Sequence, residues 1–160
     1  MSFEEALIKA NFLTETTTIN GIECTVGYSK QFKWSWMATQ LNTFVFIAST
    51  DKHIDKALIE RFSESCFEYA LKNNKGWPRG LQSGVGSIAI LKGNTVDQGA
   101  QDFCENLTKK HWSAFEIPVI YNNTNNSVIR YLKRPIWGTI YFPYFTEIIA
   151  TVTGYFKGNL

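Results

Sequence analysis

The chain has 160 residues and a mass of 18.3 kDa, which fits a single domain with a core large enough to fold without a disulfide or a metal. Hydrophobic residues make up 44%, aromatic residues 15% and charged residues 19%, a composition that excludes an intrinsically disordered chain. The net charge of +2 is too small for long-range attraction of nucleic acid or acidic lipid, so such binding would need a local patch.

The cysteine content and the apolar pattern indicate a compartment. Cys24, Cys66 and Cys104 form an odd set without a Cys-x-x-Cys pair, which fits neither a disulfide framework nor a zinc site. The first residues are acidic where a secretory signal is basic, and no apolar run reaches membrane-spanning length. The sequence therefore predicts a cytoplasmic protein with free thiols and no membrane partner.

The first predicted element is a short helix over residues 3–11. Ser2 and Glu5 have the spacing of a capping box, in which each side chain bonds the backbone N–H of the other residue. Phe3 and Leu7 share one helix face and would dock the helix on a sheet.

Four strands are predicted in the next part of the chain. Asn20-Gly21 separates two runs of β-branched residues, which is the pattern of a two-residue hairpin turn. The aromatic residues Phe32, Trp34 and Trp36 alternate with polar residues and predict a strand with one covered face. A continuously apolar run then predicts a central strand that is covered on both faces. The predicted strands are residues 14–19, 22–28, 32–36 and 43–49.

Helical periodicity predicts three more helices, of which two are long. One long helix lies between residues 51 and 73, and the other covers residues 95–110 and begins in a second capping box. A shorter C-terminal helix is predicted over residues 143–154, because a proline opens the segment and a glycine closes it.

Three further strands are predicted between and after these helices. The segment 85–91 reads as a buried strand, and the segments 114–121 and 128–132 are joined by an asparagine-rich turn as a hairpin. Pro118 has no backbone N–H, which predicts a sheet edge or a bulge at this position.

These elements predict one α+β domain over residues 1–160. We expect a twisted, mostly antiparallel sheet of about six to seven strands, with two long helices packed on it and shorter helices at the N- and C-termini. A mixed sheet is the alternative, because the sequence does not determine the strand order.

No motif for a cofactor, a metal or a catalytic nucleophile has the context that its chemistry needs. Gly84 and Gly86 precede a predicted strand, whereas a dinucleotide-binding loop follows a strand and begins a helix. Ser83 lacks the preceding glycine of a nucleophile elbow. His53 and His111 are isolated, and we interpret His111 as a residue near a helix C-terminus. The sequence thus predicts no cofactor and no metal.

Three segments, residues 30–36, 75–80 and 133–138, combine tryptophan with basic side chains. The last two place Trp77 beside Arg79, and Trp137 beside Arg134, in predicted loops. A loop tryptophan needs an explanation, because its apolar surface is costly to expose to water. Either these residues cover the ends of the sheet, with arginines stacked on them, or they bind a flat or anionic ligand, a single-stranded nucleic acid or a protein.

Three functions follow from these segments. The first is a noncatalytic module that binds a ligand or a partner, or assembles as a homodimer. The second is a small-molecule enzyme in which Arg79 and Arg134 hold an anion and Glu116 acts as acid or base. Otherwise Glu116 is an outward-facing strand residue or a buried acid that is paired with an arginine. The third, a nucleic-acid binder, is disfavoured by the near-neutral charge. The candidate site residues are Trp77, Arg79, Gln82, Ser83, Glu116, Arg134 and Trp137.

Overall fold

A computed structural model of the chain describes residues 2–76, 83–106, 111–133 and 139–157. Of the candidate site residues, Ser83 and Glu116 lie in these ranges. The other five lie outside the described residues: Trp77, Arg79, Gln82, Arg134 and Trp137. Within these ranges no helix has both the length and the apolar character that are needed to cross a bilayer.

The described residues form one α+β domain around a six-stranded mixed sheet, in which the strands lie side by side in chain order. The pairs β1–β2, β2–β3 and β5–β6 are antiparallel, whereas β3–β4 and β4–β5 are parallel. The mixed alternative is therefore the observed one. The strands are β1 Leu13–Ile19, β2 Ile22–Lys33, β3 Thr39–Ser49, β4 Ser83–Gly93, β5 Ala114–Asn122 and β6 Ser127–Ile129.

Helices cover both faces of the sheet. Helices α2 and α3 pack on one face and α1 and α4 on the other, and each face has its own hydrophobic core. Strands β3 and β4 contribute to both cores, which explains why their sequences are continuously apolar. The helices are α1 Phe3–Lys9, α2 Lys56–Asn73, α3 Gln98–Glu105 and α4 Phe142–Lys157.

The N-terminal predictions are confirmed. Ser2 N donates to Glu5 Oε2 at 2.8 Å, and Glu5 N donates to Ser2 Oγ at 3.1 Å, which is the predicted capping box. Leu7 is fully buried against the sheet. Asn20 and Gly21 both have positive φ angles, of 51° and 74°, as a type I′ turn between β1 and β2 requires.

The predicted lengths of α3 and α4 are wrong. Helix α3 has eight residues because the chain at Thr95 and Val96 is held extended by a bridge to Ile54. The helix instead begins after Asp97, whose carboxylate accepts from Ala100 N at 2.7 Å. Helix α4 is long rather than short, with 16 residues. It continues past the glycine because Phe156 packs on the sheet side.

Two strand boundaries also differ from the predictions. Strand β2 continues to Lys33, and residues 34–36 form a short 3₁₀ turn rather than the predicted strand. Strand β6 ends at Ile129 instead of residue 132. Pro118 pairs with β4 on one side only among the described residues, because β6 reaches no farther than Ile120, so β5 is an edge at the proline as predicted.

Candidate functional site

Ser83 and Glu116 lie on the face of the sheet that α2 covers, in the half where β3, β4 and β5 begin. Ser83 is the first residue of β4, and Glu116 is the third residue of β5. The connection from β2 to β3 reaches the same end of the sheet, because Lys33 pairs with Thr39 at the first residue of β3. We name this end of the sheet the strand-start end.

Glu116 is buried and holds two hydrogen-bonding partners. Ser63 of α2 donates from Oγ to Glu116 Oε1 at 2.9 Å, and His111 Nε2 lies 2.9 Å from Glu116 Oε2. The side chain of Glu116 is 2% exposed, whereas that of His111 is 29% exposed. The carboxylate is thus bonded inside the protein, and the imidazole connects it to solvent. Glu116 is the buried acid that the sequence allowed, with a histidine and a serine as partners rather than an arginine.

A tight turn folds His111 back onto β5. The backbone of His111 forms a bridge with Ala114, and Ser113 has a φ of 50°, a left-handed conformation that costs a residue with a side chain about 1–2 kcal/mol. Ser113 Oγ donates to the carbonyl of Ser83 at 2.7 Å and so holds the turn on β4. The imidazole also stacks on Phe67, with ring centroids 4.1 Å apart.

The surroundings of the carboxylate are buried. Ser87 lies directly across the β4–β5 pair from Glu116 and is fully buried, and its hydroxyl has no hydrogen-bond partner among the described residues. Burial also raises the pKa of the Cys66 thiol on α2 well above its ordinary value, and the neighbouring Cys24 and the charge of Glu116 raise it further. An electrostatic interaction is strong in such a poorly hydrated region.

This arrangement can support proton transfer by His111. The Nε2 atom of the ring contacts Glu116, which leaves Nδ1 as the ring nitrogen that a substrate could reach. No described residue hydrogen-bonds Nδ1. A metal site is not formed within the described residues, because they contain no group of three His, Cys, Asp or Glu side chains in ligating positions.

Ser83 belongs to a separate polar group. It precedes Ser87 by four residues on one strand, so it lies about 13 Å from the Glu116 level of the sheet and outside hydrogen-bonding distance of that carboxylate. Asn42 Nδ2 approaches Ser83 Oγ at 3.4 Å, and Tyr28 donates to Asn42 Oδ1 at 2.8 Å. The sheet therefore does not bring the Ser83 hydroxyl to Glu116.

The connection between β2 and β3 exposes large apolar side chains. The exposed residues, which we name the hairpin tip, are Phe32, Trp34 and Met37. The exposed fractions of Trp34 and Met37 are 81% and 80%. The rings of Phe32 and Trp34 pack edge to face with centroids 5.4 Å apart. Met37 and Ala38 both have left-handed backbone conformations, with φ angles of 57° and 58°. Two consecutive residues of this kind are strained, and such strain is concentrated at functional sites.

The base of this connection is anchored to α4 and the segment before it. Trp36 is buried and packs edge to face on Tyr141 and Tyr144, at 5.3 Å and 5.2 Å. Lys33 Nζ lies over the rings of Trp36 and Tyr144, at 4.9 Å and 5.2 Å. The Thr39 hydroxyl bonds Tyr141. The hairpin tip is therefore presented on a packed base.

Sequence reasoning missed His111, Ser63 and the exposure of the hairpin tip. A signal for Ser63 is present, because it is a polar residue four positions after Ile59 and four before Phe67 on the apolar stripe of α2. No glycine, asparagine or proline marks the turns at residues 37–38 and 113, so the reversals of the chain there carry no sequence signal.

Comparison with known proteins identifies no relative: no family model, no curated protein and no solved structure matches the chain.

Proposed function

We propose that the protein is a noncatalytic binding module that docks on a protein partner through the hairpin tip. The observation that carries this proposal is the exposure of Trp34 and Met37 on a strained connection with a packed base. Tryptophan is enriched among the residues that dominate binding energy, and a preorganised segment loses little entropy on binding. Four residues of the predicted loops remain proposed contributors to the same module: Trp77, Arg79, Arg134 and Trp137.

The charges near the hairpin tip indicate the chemistry of the partner. No acidic residue occurs between Glu23 and Asp51, whereas Lys30 and Lys33 flank the aromatic residues. Charges across an interface are arranged to be complementary. We therefore expect an apolar pocket on the partner that receives Trp34 and Met37 and is rimmed by acidic side chains.

The test combines photo-crosslinking with measured affinity. A photoreactive residue at position 34 should capture a protein in cells that the same residue at position 132 does not capture, since Leu132 is 74% exposed and follows β6, which three strands separate from β2. The purified partner should then bind the full chain, and binding should weaken by about 100-fold or more in Trp34→Ala/Met37→Ala, because central interface residues contribute 2 kcal/mol or more each. Leu132→Ala should bind normally. Unchanged affinity in the double variant would exclude the proposal.

A second candidate function, an acid–base enzyme, is favoured by the contact between His111 and Glu116. In this function His111 transfers a proton to or from a bound substrate, and Glu116 orients the ring. Any turnover of this kind should fall by about 100-fold or more in both His111→Gln and Glu116→Gln. His53→Gln is the matched control, because His53 is exposed and lies 3.9 Å from Asp97. Activity that survives both substitutions would exclude this mechanism.

We also propose a cytoplasmic location. The three cysteines are free and buried, which is the state expected of structural thiols in a reducing compartment.

A further inference from the structure

Among the described residues, strand β1 is an edge of the sheet without lysine, proline or a bulge. It pairs with β2 on one side, and no described residue pairs with its other side. Natural edge strands are blunted by lysine, proline, a bulge or a covering element. The sequence of β1, Leu-Thr-Glu-Thr-Thr-Thr-Ile, contains neither lysine nor proline, and its register with β2 is continuous from Leu13 to Ile19.

The register determines which backbone groups point outward. Because the type I′ turn has two residues, Ile19 and Ile22 form a hydrogen-bonded pair, and such pairs alternate with non-hydrogen-bonded pairs along the ladder. Thr14, Thr16 and Thr18 therefore direct their N–H and C=O groups away from β2. These six groups form a regular row along the open edge.

We propose that two copies of the chain pair through this edge as an antiparallel homodimer centred on Thr16, which joins the two sheets. In this register Thr16 faces Thr16 of the second copy, and Thr14 faces Thr18. The outward N–H and C=O groups of each strand all find partners. We name the contact between the two β1 strands the seam. This inference is independent of the partner-binding function, because the hairpin tip is not part of the seam.

The side chains of the seam are self-complementary. Thr14, Thr16 and Thr18 lie on the α1 face, where Thr14 bonds Glu4, and threonine pairs across strands are favourable. On the α2 face, Leu13 meets Ile19 of the second copy, and Glu15 meets Thr17. No two like charges are opposed, and Leu13, which is 76% exposed in one copy, gains an apolar neighbour.

The size of the seam indicates a weak dimer. One edge of seven residues covers less than the roughly 800 Å² per partner of a standard interface. We therefore expect a dissociation constant of about 10–100 µM. A hairpin-tip dimer is disfavoured, because Lys30 and Lys33 would approach the same residues of the second copy.

The test is sedimentation equilibrium of the full chain at concentrations that bracket this range. The mass should rise with concentration from 18.3 kDa to twice that value. Hydrogen exchange should show concentration-dependent protection of the Thr14, Thr16 and Thr18 amides. A monomer at about 1 mM would overturn the proposal, and so would a dimer whose protection lies elsewhere.

Variants separate the seam from other contacts. Thr16→Pro should abolish the dimer, since it removes an outward N–H and leaves the ladder with β2 intact. Should Thr16→Pro fail to fold, Leu13→Lys should weaken dimerisation at least 10-fold by the loss of the apolar contact. Leu132→Lys is the exposure-matched control and should dimerise normally. A dimer that is unchanged in Leu13→Lys would contradict the proposed register.

Discussion

Two buried serines between α2 and the sheet differ in what their hydroxyls contact. Ser63 donates to the carboxylate of Glu116, whereas the hydroxyl of Ser87 has no hydrogen-bond partner among the described residues. Both residues are fully buried, so burial alone does not distinguish them. A hydrogen bond to a charged group stabilises a protein, but a buried polar group without a partner destabilises it.

The serines should therefore respond differently to the same substitution. Ser63→Ala should lower the free energy of unfolding by about 1.5–3 kcal/mol, because it removes a bond to a buried carboxylate. Ser87→Ala should change it by less than about 0.5 kcal/mol or increase it. Urea unfolding at pH 7, monitored by circular dichroism, measures both changes in the free energy of unfolding. The comparison requires that the variants have equal m values. Equal losses in the two variants would contradict the assigned contacts.

The candidate site was predictable from the sequence only in part. The sequence indicates Glu116 as a candidate acid or base, because it is a carboxylate within a predicted strand. The sequence does not indicate its partner His111, because Ser113 adopts a left-handed conformation without glycine or asparagine, and the turn is held on β4 by bonds from Ser113 to Ser83 and from Val85 to Ser113. Contacts of this kind depend on tertiary structure, and a local pattern does not contain them.

Local patterns in the sequence determine which segments are strands and which are helices, whereas several ends of these elements depend on contacts with other segments. Strand β3 and helix α2 were predicted because their apolar residues have a clear period. The predicted start of α3 is wrong because an isolated bridge from Ile54 keeps Val96 extended, and tertiary contacts override a local preference.

The connection from β2 to β3 permits a test of its strain. Ala38→Gly should raise the free energy of unfolding by about 0.5–1 kcal/mol, because glycine adopts a left-handed conformation without the penalty of a Cβ atom. The same substitution at Ala150, which is exposed within α4, should lower it by about 1 kcal/mol. Thermal unfolding of both variants gives the signs. Destabilisation by Ala38→Gly would show that the connection is not strained.

Buried thiols link the stability of the protein to pH. Burial is the main cause that raises the pKa of Cys66 and of Cys104 above the ordinary value of 9.0. A raised pKa in the folded state means that the unfolded chain loses its thiol protons first. The contribution of these thiols to stability is therefore complete below pH 9.0 and is lost as the pH rises above it.

We expect the free energy of unfolding to fall above pH 9.0, by about 1.4 kcal/mol per pH unit for each thiol that ionises only in the unfolded chain. The double variant Cys66→Ala/Cys104→Ala should be less stable at pH 7 because of the lost side-chain volume, but its stability should depend less on alkaline pH. Urea unfolding between pH 8 and 10.5, in the presence of a reductant, gives both slopes. Parallel curves would exclude the thiols as the cause.

The order of the strands has a consequence for synthesis of the protein on the ribosome. Strands β1, β2 and β3 are consecutive in the chain and pair with each other, so this meander can form as soon as residue 49 has left the exit tunnel. Strand β3 has no partner on its other side until β4, which begins at Ser83, has been synthesised. Until then the apolar residues from Phe44 to Ala48 have an open edge. During that interval the nascent chain is a substrate for chaperones that bind extended apolar segments.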